Sequence, residues 1–97
     1  MTLAVFHPEA LRELQEQVAY YEQQSPGLGE RFLAQVEAAA RIAVAMPGVG
    51  SPYRHGTRRV FPKDFPHSVV YRMVGYRLVI LAIAPFRRKP GYWRTRL

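Results

Sequence analysis

The stretch "HSVVYRMVGYRLVILAIA", His67 to Ala84, decides the fold. His67 to Val74 is rich in β-branched and aromatic side chains, Gly75 and Tyr76 interrupt it, and Arg77 to Ala84 is apolar almost throughout. That pattern predicts two antiparallel strands joined by a tight turn. The second strand lacks the polar–apolar alternation expected when one face meets water, so it is predicted to be central and covered on both sides. A central strand needs a neighbour on each edge. Its hairpin partner fills one, and "RRVF", Arg58 to Phe61, extends the sheet beyond that partner through the turn "KDFP". The other edge falls to "LAVF", Leu3 to Phe6, a short apolar run read as a buried strand and ended by His7-Pro8. By chain position the predicted strand order is second, third, fourth, first.

Between the first two strands the apolar period changes. From Glu9 to Gln24, Leu11, Leu14, Val18 and Tyr21 recur at helical spacing, with charged and amide side chains between them. Ser25 suits an N-cap and Pro26 a first helical residue, so a second helix is predicted from there. Its buried stripe is Leu28, Phe32, Val36, Ala39, Ala43 and Met46, and Pro47-Gly48 stops it. "GVGSPYRHGT", which follows, reads as a loop. The expected fold is α+β, β-α-α-β-β-β, with a helical hairpin packed on one face of a mainly antiparallel four-stranded sheet. One domain spans residues 1–97, a length that supports a single modest core.

The chain has 97 residues and no cysteine, which excludes disulfides, thiolate metal sites and cysteine nucleophiles. "MTLAVFHPEA" carries no basic leader, and the longest apolar run, Leu78 to Pro85, is too short to cross a bilayer, so a cytoplasmic protein without membrane contact is expected. The net charge of +7 is unevenly spread. Residues 1–50 hold three arginines against six glutamates, while residues 51–97 hold nine arginines and two lysines against Asp64 alone. Twelve of the fourteen basic side chains are arginine, whose planar fork grips phosphate or carboxylate in a bidentate manner. A basic half of this kind attracts nucleic acid or acidic protein.

No Gly-rich phosphate loop, metal-spaced histidine pair or serine elbow is present, and neither a metal nor a cofactor is expected. His7, His55 and His67 are far apart in sequence, and Glu9, Glu13 and Glu16 read as the solvated face of the first helix. What remains is the basic surface. Ser68, Val70 and Arg72 share one face of their strand, opposite Val69, Tyr71 and Met73. Arg72 with Arg58, Arg59 and Lys63, joined by Arg88, Lys89 and Arg94 of the tail, is the candidate nucleic-acid or target-binding set. Were that surface to cleave RNA, an acid and a base would be needed, and Tyr92, a rim-placed His67 and Asp64 are the candidates, since arginine stays protonated. Trp93 reads as an anchor holding the tail on the sheet.

The order of elements, the run "RRVFPKDFPHSVVYRM" and the ending "LVILAIAPFRRKPGYWRTR" together resemble the RelE/ParE superfamily of type II toxin–antitoxin toxins, over nearly the whole chain. The resemblance implies a small basic toxin that arrests growth, neutralised by an acidic cognate antitoxin that wraps it, the pair binding operator DNA. RelE-like members cut mRNA on the ribosome. Carried over, that activity implies Arg87, just past the last strand, as the phosphate-stabilising group, with Tyr92 or His67 moving protons. Ser68 stands where RelE-like members carry an arginine, Trp93 where they carry a tyrosine, and Pro85 where many relatives carry histidine. ParE-like members inhibit DNA gyrase by binding, without a catalytic set, and the resemblance favours this mode. A basic binding module without toxicity is the third alternative.

Overall fold

The computed structural model describes residues 3–97. Its elements are strand β1 (Leu3–Phe6), helices α1 (Pro8–Gln24) and α2 (Leu28–Ala45), and strands β2 (Ser51–Pro52), β3 (Arg58–Val60), β4 (His67–Val74) and β5 (Arg77–Pro85). The sheet order is β1-β5-β4-β3-β2, with β1 parallel to β5 and every other pair antiparallel. β5 is central, as its unbroken apolar run requires. The sheet has one strand more than expected, because Ser51–Pro52 pairs with Arg58 and Arg59 inside the predicted loop.

A β-bulge explains how β5 stays apolar on both faces. Val70 pairs with Ala82 but Tyr71 pairs with Ile80, leaving Leu81 without a partner on β4. The extra residue shifts the phase of the strand. Leu78, Ile80 and Ile83 therefore join the core under the helices with Val69, Tyr71, Phe32 and Val36, while Leu81 and Ala82 join Val70 and Trp93 in a second cluster on the opposite face.

The helices differ from expectation in three places. α2 begins at Leu28 rather than Pro26: Gly27 takes the left-handed conformation at φ 84°, and the Glu22 carboxylate, not Ser25, accepts from the N–H groups of Gly27 and Gly29. A carboxylate at a helix N-terminus meets both the free donors and the helix dipole. Met46 lies past the end of α2 and is 58% exposed. On α1 the buried positions are Ala10, Glu13 and Leu14, and Leu11 is 42% exposed, so the stripe is rotated by about one position. Val5 of β1 also faces outward, on the side without helices.

The loop after α2 is fastened to the core by one hydroxyl. Tyr71 Oη donates to Pro47 O at 2.6 Å and accepts from Gly50 N–H at 3.0 Å. Gly50 is required there, since a Cβ would come within 2.6 Å of that oxygen. Tyr71→Phe leaves the buried Gly50 N–H without a partner, and an urea unfolding series should show a loss of about 1–3 kcal/mol.

Candidate nucleic-acid and target interface

The helix-free face of the sheet carries a cleft between β3, the ends of β4 and β5, and the C-terminal tail. Trp93 is its floor: the indole is 1% exposed and packs on Val70, Leu81 and Ala82. The tail anchor expected from the sequence is in place. Above it, two arginine guanidinium groups sit over tyrosine rings. The Arg59 guanidinium carbon is 4.0 Å from the centre of Tyr53, and that of Arg88 is 3.9 Å from the centre of Tyr92. A cation over an aromatic face is attracted by the ring's π electrons, which holds each guanidinium at the cleft. Arg59 Nη1 also lies 3.4 Å from Ser68 Oγ, and its buried Nε has no acceptor. Arg54 and Lys89 add two more cations, and Phe61 and Phe86, both exposed, pack edge to face at the mouth. The cavity holds about 480 Å³ and no carboxylate lines it.

The tail that forms this wall is clamped by Glu13. β1 ends at Phe6, so the far half of β5 has an open edge, and side chains replace the missing ladder. Ile83 N–H donates to Glu13 Oε1 at 3.0 Å, and Arg96 Nη1 donates to Leu81 O at 2.9 Å. Arg96 grips both Glu13 oxygens at 2.9 Å, and Tyr92 Oη donates to Oε2 at 2.8 Å. Burial, and then the hydrogen bond to Glu13, raises the Tyr92 hydroxyl above the usual tyrosine range. It is therefore held as a neutral donor to a carboxylate.

The residues proposed for proton and phosphate chemistry do not converge. His67 is not at the rim: it is 2% exposed on the helix face, packed against Phe32 and Tyr21, with Nε2 3.2 Å from Gln17 Oε1. Burial, with a smaller contribution from Arg87, pushes its pKa down to about 4. Alternation along β4 puts it there, because it shares a face with Val69 and Tyr71. Arg87 is exposed, acts electrostatically on Tyr21 and His67, and does not line the cleft, whereas Tyr92 does. Asp64 and Lys63 sit on an exposed turn, with Asp64 at φ 71°. Ser68, Trp93 and Pro85, the three departures read from the sequence, all line the cavity.

Of the binding set, Arg59, Arg88 and Lys89 line this cleft; Arg94 lies in an adjoining hollow and Arg58 and Arg72 in a third. Arg58 and Arg59 point to opposite faces: Arg58 Nη1 donates to Gly50 O at 2.7 Å, and neither forms an ion pair among the described residues. Sequence reading missed Tyr53, Phe61 and Glu13. Glu13 had a signal: it lies three residues after Ala10 and four before Gln17, on the side of α1 that turns inward.

A family model described as the ParE toxin of type II toxin–antitoxin systems matches residues 4–90. The chain belongs to the ParE toxin family. Among solved structures, a chain from "Chromosomal ParDE TA system from P. aeruginosa" superposes with a TM-score of 0.77 at 21% identity, over 88% of this chain and 96% of that one. That likeness is one of fold. No curated protein matches the sequence. In this ParE-family chain no helix among the described residues is long and apolar enough to cross a membrane.

Proposed function

We propose that this ParE-family chain arrests growth by binding DNA gyrase, and that a cognate acidic antitoxin neutralises it, the pair acting on its own operator DNA. One observation carries the choice of binding over cleavage. The polar side chains lining the cleft are arginines, a lysine, a serine and tyrosines, with no histidine or carboxylate among them; His55 borders the two adjoining hollows instead. General acid–base cleavage of RNA needs such a group within hydrogen-bond reach. His67 lies on the other face with its pKa at about 4, and the Tyr92 proton is committed to Glu13.

Induction of the chain alone should stop growth, and co-expression of the adjacent antitoxin gene should restore it. Purified protein should block supercoiling by gyrase while transcript ends in the arrested cells stay unchanged. New transcript ends on ribosome-bound mRNA, with supercoiling intact, would transfer the assignment to a RelE-like endoribonuclease. Growth without arrest would leave a basic binding module.

A further inference from the structure

Two more hollows adjoin the cleft, and all three are basic. The first, of about 480 Å³, shares Lys89, Pro90 and Tyr92 with the second, of about 340 Å³. The second shares His55 with the third, of about 380 Å³, which Arg58 and Arg72 line. His55 is held at this junction by a left-handed backbone, φ 60°, with its ring edge-on to Trp93. The three hollows therefore adjoin one another around the tail and the loop that carries His55.

Cations line each of the three hollows, and no aspartate or glutamate lines any of them. The ion pairs found among the described residues all lie elsewhere, between Arg12 or Arg96 and glutamates of α1. The Nε atoms of Arg59 and Arg72 are themselves buried, so a ligand in the first or third hollow would meet the outer part of these guanidinium groups.

From this run of adjoining, carboxylate-free basic hollows we infer that the surface binds the sugar–phosphate backbone of a nucleic-acid strand directly, without the antitoxin. A single carboxylate or phosphate would occupy one hollow. A polynucleotide presents one anion per nucleotide in an unbroken line, which is what successive arginine-lined hollows match. Base readout is not required, and the contacts are those that position a protein on a backbone. DNA and RNA share this chemistry. The inference does not depend on gyrase being the target.

The test uses the purified full chain, with fluorescein-labelled duplex DNA, single-stranded DNA and RNA of one scrambled sequence followed by anisotropy across a salt series. Affinity should fall on the order of 100-fold between about 50 and 200 mM salt, as for four or five phosphate contacts. Arg88→Gln and Arg94→Ala, in different hollows, should each reduce the salt slope by about 1. Arg77→Ala, an equal change of charge at the exposed β4–β5 turn, should leave the slope unchanged, and thermal melts establish that each variant is folded. Preference among the three probes identifies the source of the backbone. No binding at low salt overturns the inference, as does an Arg77 effect equal to the other two, or displacement of the probes by polyglutamate at matching charge concentration. The assay contains no gyrase, so its failure leaves the supercoiling result standing.

Discussion

Glu13→Ala should lower the stability of the fold by about 3–5 kcal/mol, the range for breaking one half of a buried ion pair. The carboxylate is 10% exposed and its partner Arg96 11%. Removing it strands three donors at once: the Arg96 guanidinium, the Tyr92 hydroxyl and the Ile83 N–H. Arg96 keeps only Leu81 O. Against a total of about 5–15 kcal/mol for a domain this size, the loss is large enough to free the tail before the rest unfolds. Trp93 reports it, since the indole is buried only while Gly91 to Leu97 lies on the sheet: its emission should shift to the red in Glu13→Ala at denaturant concentrations where the wild type is unchanged. The pair Glu13→Leu with Arg96→Met should cost less than Glu13→Ala alone, because no buried charge is left without a partner. A Glu13→Ala loss below about 1 kcal/mol, the exposed-pair range, would mean that the carboxylate is solvated like any helix-face glutamate and that the clamp does not hold the tail.

The parts of this molecule legible in its sequence are those that depend on period. The apolar run of β5 implied burial on both faces, hence a central position and β1 on its far edge. The bulge at Leu81 was hidden by that same run, because a phase shift leaves no trace where every residue is apolar. Glu13 was obscured by its residue type: a carboxylate between glutamates looks solvated, and only the open edge of β5, a consequence of β1 being four residues long, gives it work inside. His67 is the converse. Flanked by Pro66 and Ser68 it looked like a turn residue, yet alternation with Val69 and Tyr71 already placed it on the helix face. The cleft could not be read from spacing, since Tyr53, Arg59, Arg88 and Tyr92 come from a loop, a strand and the tail, brought together only when Trp93 packs on Leu81.

Stability should fall as pH drops from about 6.5 to about 4, and His67 should account for about 3 kcal/mol of that fall, from 1.36 kcal/mol per pKa unit. With Nε2 donating to Gln17 Oε1, a second proton would enter at Nδ1, which is buried and has no acceptor. The surrounding rings cannot solvate an imidazolium: Phe32 is 4.9 Å and Tyr21 5.9 Å away, and the Arg87 charge opposes it further. The folded pKa therefore lies below the ordinary value of 6.5. The unfolded chain takes up the proton first, so the stabilisation is complete above about pH 6.5 and is lost as pH falls towards 4. His67→Phe keeps an aromatic ring in the pocket and removes the titration, while half-buried Gln17 can turn to water. Urea midpoints compared at about pH 7 and about pH 4.5 should show the wild type losing about 2 kcal/mol more than the variant. Effects of pH on groups other than His67 are common to the two proteins and cancel in the comparison. Equal losses in the two proteins would show that the imidazole titrates at its ordinary pKa in the fold, and the histidine would then have access to water and return as a proton carrier.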